Sequence, residues 1–404
     1  MAVNLHDAAD LRAVPGVRIA SAPAGIKQNL RDDLALFEFC PGTQIAGVYT
    51  QSHFAAAPVQ LARQRQSTSR SWVVNSGNAN AATGAPGLAD AHAVCRQVAR
   101  LLDISEVQVQ PFSTGVIGER LPVAQINGAL EKAAAGLNED GWLSAARAIM
   151  TTDTVVKGYS LQCELDGETI TLTGIAKGSG MIKPDMATML AYVACDAHVT
   201  YEAAQHLVSD AAMQSFNRIT VDGDTSTNDC FMFAATGCAD HQVINGREHP
   251  NYFVLLRALI ELSRLLAQAI VRDGEGATKF VTICVRGGRS SDDCLSVAYT
   301  IAESPLVKTA LFAGDANWGR FCMAIGRAPV PGLNPDKVQL FLDDVQVAEG
   351  GLMASDYTDA RGSAVLAQDE FVITIDLGLG VSSETLWTTD LSYEYVRINA
   401  EYRS

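Results

Sequence analysis

No apolar run in this 404-residue chain reaches the roughly 20 residues that a membrane-crossing helix needs. The longest apolar segment, 252–271, is broken by Arg257, Glu261 and Arg264. Those charges recur at near-helical spacing, so the segment reads as an amphipathic helix lying on a core. The first 18 residues, MAVNLHDAADLRAVPGVR, hold no apolar stretch behind a basic lead, and no secretory signal is expected. Cysteine is scattered: nine residues, an odd number, with no CxxC pair. That distribution suits reduced thiols in a cytoplasmic protein rather than a disulfide framework. The seven histidines show no HExxH spacing, and no metal site is expected. Basic charge is short as well, with 30 Lys and Arg against 45 Asp and Glu, a net charge of −15. Such a balance argues against general nucleic-acid binding. Nucleotide motifs are missing too. There is no GxxxxGK[ST] loop, and the GLG at 378–380 has Ser383 where a dinucleotide fingerprint needs its third glycine. Nor is there a GxSxG nucleophile elbow.

What remains is an ordinary globular composition, 48% hydrophobic and 19% charged, without low-complexity tracts, short repeats or a long flexible linker. The length accommodates two or three domain-sized units. Periodicity predicts helices over 88–102, 123–135, 143–150, 202–216 and 252–272. Strands are predicted over 71–74, 168–173, 280–285, 296–301 and 371–377, where β-branched or alternating residues concentrate. Segments 161–165 and 168–172 flank Asp166-Gly167, the turn chemistry of a hairpin. Helices and strands intermix without strict alternation, which argues against a doubly wound sheet. The expected class is α+β, a layered α/β arrangement of antiparallel or mixed β-sheets flanked by helices.

Five polar, small-residue segments interrupt these elements: VNSGNAN at 74–80, STGVIG at 113–118, GIAKGSGMI at 174–182, DGDTSTND at 222–229 and RDGEGATK at 272–279. Glycine in such loops lets a ligand approach backbone N–H groups closely. Each one alone reads as a turn. The run KPDMATML at 183–190 follows the third of them and leads into the apolar LAYVA. Thr188 there reads in two ways, as the opening of a buried strand or as a nucleophile. A threonine hydroxyl needs a base to take its proton, and the α-amine of an N-terminal threonine is one such base. With a pKa of about 7.7–8.0, that amine suits general-base work near neutral pH. The nucleophile reading requires the peptide bond before Thr188 to be cut.

Six segments, GIAKGSGMI, PDMATML, ITVDGDTSTND, RDGEGATKF, LVKTALFAGDANWGR and YVRINAEYRS, together resemble the ornithine acetyltransferase (glutamate N-acetyltransferase) family of arginine biosynthesis. The resemblance implies a chain that cuts itself between Ala187 and Thr188. The products would be an α chain, 1–187, and a β chain, 188–404, sharing one fold similar to that of N-terminal-nucleophile aminopeptidases and assembling as α2β2. It implies acetyl transfer from N2-acetyl-L-ornithine to L-glutamate in ping-pong order, through an acetyl-Thr188 intermediate. Thr114 and Gly115 would form the oxyanion hole. Thr151 or Thr152, Lys177, Glu275, Asn399 and Ser404 would contact substrate together with Thr188. No cofactor or metal is implied. Acetyl-CoA is a second donor in some family members and not in others, and no motif here separates the two.

Two residues depart from the family pattern: Asp185 where asparagine is more usual, which bears on self-cleavage, and Ser404 where a terminal threonine is common. Without the resemblance, Lys177 reads as a solvated loop lysine, Glu275 as a partner of Arg272, and Asn399 and Ser404 as a frayed tail. Asp222, Asp224, Asn228, Asp315 and Asn317 read as architectural, satisfying backbone groups in tight loops. The alternative activity is a hydrolase with the same nucleophile and water as acceptor; the non-enzymatic alternative is an uncut binding protein. Acidity is uneven about the expected cut: residues 1–187 carry 15 basic and 17 acidic side chains, and residues 188–404 carry 15 and 28.

Overall fold

Strand Leu190–Cys195 shows how the first part of the molecule is layered. Leu190, Tyr192 and Ala194 enter one core, while Ala191, Val193 and Cys195 enter another. Successive side chains of a strand point to opposite faces, so a strand apolar at every position is stable only when both faces are covered. The parallel neighbour Cys230–Ala235 divides its side chains in the same way. The computed structural model describes residues 2–27, 31–183 and 189–401, and in these the two strands occupy the middle of a mixed five-stranded sheet. Its order is Gln44–Tyr49, Cys230–Ala235, Leu190–Cys195, Glu168–Lys177, Lys157–Leu165. One face packs on a four-stranded sheet ordered Val17–Ala22, Leu34–Phe39, Ser71–Asn78, Val109–Val116. Helices Tyr201–Met213 and Tyr252–Arg272 cover the other face. Helices Gly84–Leu102 and Val123–Ala135 cover the outside of the four-stranded sheet. The order of layers is helix, sheet, sheet, helix.

A second core lies around a mixed seven-stranded sheet. Its strands, in order, are Leu352–Met353, Val345–Glu349, Gln339–Leu342, Glu370–Asp376, Phe280–Gly288, Ser382–Thr389 and Ile219–Thr220. The short strand Ile219–Thr220 joins it to the sandwich, because Ile219 and Trp387 belong to the sandwich core. Strands from both sides of position 187 pair within the five-stranded sheet: Glu168–Lys177 runs antiparallel to Leu190–Cys195 with Lys177 opposite Leu190.

The α+β class and the mixed sheets flanked by helices are as the sequence indicates. Helix Tyr252–Arg272 and the hairpin at Asp166-Gly167 lie where periodicity and turn chemistry put them. One predicted strand is wrong. Residues 296–301 belong to helix Ser291–Ala302, whose N-cap Ser290 accepts a hydrogen bond from the Asp293 N–H. Cys294, Val297, Ala298, Ile301 and Ala302 are its buried residues, a spacing of three and four that a six-residue window truncates into apparent alternation. Among the described residues no helix is long and apolar enough to cross a membrane.

Between the two sandwich sheets sits an aromatic cluster centred on Trp72. Its ring lies 5.6 Å from Phe37, 5.4 Å from Tyr192 and 6.4 Å from Phe112. The indole N–H donates to Gln110 Oε1 at 2.9 Å, and Gln110 Nε2 reaches the Ala62 carbonyl at 2.8 Å, so the buried polar atoms are satisfied. Replacing Trp72 by alanine is expected to cost about 3–5 kcal/mol. Urea unfolding followed by far-UV circular dichroism measures this; an unchanged midpoint would show that the cluster does not hold the sheets together.

Candidate active site

All five polar segments meet in one cleft of about 270 Å³. Ala79 comes from the first, Thr114 to Ile117 from the second, and Lys177, Gly178 and Gly180 to Ile182 from the third. Ser226 to Asp229 come from the fourth and Glu275 from the fifth, and Thr151, Thr152 and Asn399 complete the wall. Thr114, Gly115, Thr151, Thr152, Lys177, Glu275 and Asn399 are thus brought together. Ala187, Thr188, Asp185 and Ser404 lie outside the described residues. Ile182 and Met189, on either side of 184–188, both line the cleft.

Thr114 and Gly115 end the strand Val109–Val116, which pairs in parallel with Ser71–Asn78. Gly77 stands opposite Gly115, and the register shifts at Asn78. Gly115 has φ +131°, and a Cβ there would lie 2.3 Å from the Gly77 carbonyl carbon, so no side chain fits. A polar lattice locks this turn from behind. Asn228 Nδ2 donates to the carbonyls of Ala79 at 2.6 Å and Ser113 at 2.9 Å, and Ser113 Oγ bonds Asn75 Oδ1 at 2.6 Å. Asn228 is therefore architectural, as its place in a tight loop suggests, but it satisfies acceptors rather than donors.

The opposite wall is built on charge. Lys157 is fully buried, with Nζ 2.6 Å from Asp153 Oδ1 and 2.6 Å from Asp273 Oδ2. Asp153 also accepts the N–H of Thr151 at 2.9 Å and of Gly178 at 2.8 Å, while Asp273 accepts those of Thr154 at 2.9 Å and Val155 at 3.2 Å. Burial opposes ionisation of Asp153, but Lys157 and Lys177 outweigh it and hold the carboxyl below its usual range. Asp153 escaped the sequence reading; the signal was a lone acidic residue closing the small-residue run TTD. Thr152 Oγ1 meets Ser179 Oγ at 2.7 Å, tying the Thr151–Thr152 turn to the glycine-rich loop.

Lys177 is buried at the end of strand Glu168–Lys177, not a solvated loop lysine. Burial draws its ammonium below its ordinary range, with Lys157 adding to this and Asp153, Asp229 and Glu275 opposing it. Asp229 is a further residue not found from sequence. Its Oδ2 has no hydrogen-bond partner among the described residues, and burial drives its carboxyl well above the usual range.

Glu275 is buried and hangs over Gly180, where a Cβ would lie 2.4 Å from Oε2. Its partner is Asn399, whose Nδ2 donates to Oε2 at 2.9 Å; Arg272 instead pairs with Glu370. The C-terminal helix Tyr393–Ala400 delivers Asn399, which is docked on Glu275 rather than frayed. Ser392 Oγ donates to the Gly276 carbonyl at 2.6 Å, and Tyr395 OH donates to Asp222 Oδ2 at 3.2 Å. Asp222 also accepts the N–H of Met181 at 2.7 Å and Ile182 at 2.9 Å, the architectural role expected of it. Asp315 and Asn317 are exposed and bond to each other at 3.5 Å, away from the cleft.

Sequence comparison gives this arrangement its family. The profile of the ArgJ family matches residues 18–404. The chain belongs to the ArgJ family. It is 53% identical over 405 residues to the arginine biosynthesis bifunctional protein ArgJ of Pseudomonas fluorescens, with 100% of both chains covered. The protein of that name from Pseudomonas syringae pv. tomato is 52% identical over the same length and coverage. A crystal structure of arginine biosynthesis bifunctional protein argJ from Bacillus halodurans shares 36% identity, covering 51% of this chain and 96% of that one with a TM-score of 0.49.

In this ArgJ-family chain the Lys157 cluster makes stability depend on pH. A depressed carboxyl such as Asp153 contributes stability that is fully present above its unfolded pKa of about 3.9 and is lost as the pH falls from there through the folded value. Lys157→Met leaves two buried carboxylates unpaired and is expected to cost about 3–5 kcal/mol at pH 7. The deficit is expected to be smaller at about pH 3, where the wild type is losing the stability that its depressed Asp153 carboxyl supplies. Urea titrations at both pH values test it; a deficit that does not change with pH counts against the charge cluster as its source.

Proposed function

We propose that this chain cuts itself between Ala187 and Thr188 and that the new N-terminal threonine carries acetyl groups from N2-acetyl-L-ornithine to L-glutamate. The α-amine of Thr188 takes the proton of its own hydroxyl, whose oxygen attacks the acetyl carbonyl. The C–N bond of the donor breaks, ornithine leaves with the proton on its amine, and an acetyl-threonine ester remains. The amine of glutamate then attacks the ester, giving N-acetylglutamate and restoring the hydroxyl. Thr114, through its hydroxyl, and Gly115, through its backbone N–H, receive the oxyanion of each tetrahedral intermediate. Glu275 accepts from a substrate ammonium, and Asn399 keeps its carboxylate oriented. Lys177 contacts substrate beside the new N-terminus, with Thr151 or Thr152 and Ser404 completing the site. Ornithine and N-acetylglutamate belong to arginine biosynthesis, a cytoplasmic role, and the two pieces assemble as α2β2.

The observation that carries this reading is the meeting of Thr114, Gly115, Lys177, Glu275 and Asn399 in a cleft that Ile182 and Met189 also line. The family supports it. The sheet also suits a cut chain, because Leu190–Cys195 is paired on both edges and stays in place whether or not a bond precedes it.

Denaturing electrophoresis under reducing conditions is expected to show two bands of roughly half the 42.9 kDa mass, and Thr188→Ala a single uncut, inactive chain. A wild-type chain that stays whole after long incubation would sink the proposal. With N-acetylornithine supplied, ornithine release beyond one equivalent per site is expected to require glutamate; continued turnover without it assigns the site to a hydrolase. The same assay with acetyl-CoA in place of N-acetylornithine reads whether both donors serve.

A further inference from the structure

Two thiols from opposite sides of position 187 touch one another outside the cleft. Cys40 follows strand Leu34–Phe39 of the four-stranded sheet, and Cys238 follows strand Cys230–Ala235 of the five-stranded sheet. Their sulfurs are 3.9 Å apart. The two sheets are brought together here by the turn at 41–43, since Gln44 on its far side pairs with Ala235. Neither cysteine lines the cleft.

The niche is shaped for two sulfurs. Gly16 lies beneath them with φ +83°, and a Cβ at that position would sit 2.7 Å from Cys40 Sγ and 2.8 Å from Cys238 Sγ. Main-chain hydrogen bonds hold both segments: the Cys40 N–H donates to the Gly16 carbonyl at 2.8 Å. On either side of Cys238, Gly237 N–H donates to Ala197 O at 3.1 Å and Ala239 N–H to Asp196 O at 3.0 Å. A disulfide needs the sulfurs at about 2.05 Å, so the pair must close by roughly 1.9 Å. Cys238 is exposed and Cys40 partly covered, so a reagent in solution meets Cys238 first. All nine cysteines are free thiols in the structure, and no other pair of them is found in sulfur–sulfur contact among the described residues.

We propose that Cys40 and Cys238 form a reversible disulfide on meeting a small-molecule disulfide of the oxidised-glutathione class. The Cys238 thiolate attacks one sulfur of the small disulfide, forming a mixed disulfide and releasing one small thiolate. Cys40 Sγ then attacks Cys238 Sγ, the mixed disulfide breaks, and a second small thiolate leaves. Two electrons pass from the cysteine sulfurs to the small disulfide, and the two cysteine protons go to the released thiolates. Burial, with Cys40 alongside, keeps the Cys238 thiol above its ordinary range, so the first step accelerates as the pH rises into the alkaline region. In an intact chain the bond closes a long loop. In a cut chain it ties residues 1–187 to residues 188–404, a consequence that rests on the cleavage proposed above.

The test incubates the full-length protein with oxidised glutathione, blocks remaining thiols, and maps peptides by mass spectrometry. The expected product is a peptide pair joined through Cys40 and Cys238, with two of the nine thiols lost and no glutathione retained. Cys40→Ser is expected to stop the reaction at a glutathione adduct on Cys238, and Cys238→Ser to abolish the linked pair. A wild-type protein that accumulates the Cys238 adduct without closing, or that reacts at neither cysteine, overturns the proposal. Cleavage is read separately from the reducing gel. If that gel shows two pieces, the oxidised sample is expected to run as one 42.9 kDa species without reductant. The linked peptide decides the disulfide whether or not the chain is cut.

Discussion

The cleft depends on a buried cation held between two carboxylates. Lys157 and Asp153 lie four residues apart in one stretch and Asp273 comes from another, and each carboxylate also collects backbone N–H groups from the Thr151–Val155 turn or from Gly178. Burying three charges is costly, and mutual attraction offsets that cost only when every oxygen and proton is placed. Here the placement is complete enough that moving any one of the three would disturb the Thr151–Thr152 turn, the glycine-rich loop and the end of helix Tyr252–Arg272 together. The first two wall the cleft, and the third leads into Glu275, which also lines it.

The remaining walls are fixed by neutral hydrogen bonds and by missing side chains. Asn228 stitches the turns at Ala79 and Ser113, and Gly115 permits its strand to approach the Gly77 backbone where any Cβ would collide. Gly180 and Gly276 do the same for Glu275 and for the C-terminal helix. Rigid walls around a cleft that holds both Lys177 and Asp229 buried create shifted proton affinities in opposite senses, the electrostatic setting in which proton transfer at a nucleophile is tuned.

Several features were legible from residues alone because their physics is local. Helix Tyr252–Arg272 carries its apolar face over 21 residues, long enough for the helical period to be unmistakable. The hairpin at Asp166-Gly167 is written in two turn residues with positive φ. Helix Ser291–Ala302 was misread because its apolar residues, taken six at a time, alternate. Asp153, Lys157 and Asp229 were not legible as a group. An isolated acidic residue near a turn looks like a solvated one until burial and partners are known.

Composition, missing motifs and short ordered segments established the class of the molecule, and the family was recognisable because its motifs are contiguous strings. Where those strings go is a long-range matter. Residues 79, 115, 152, 177, 229, 275 and 399 share one cleft because four layers of sheet and helix are stacked by non-local apolar contacts. The same stacking puts Cys40 against Cys238, 198 positions away. No local pattern records such meetings. They follow from which faces must be buried against which, and that is settled only when the whole chain packs.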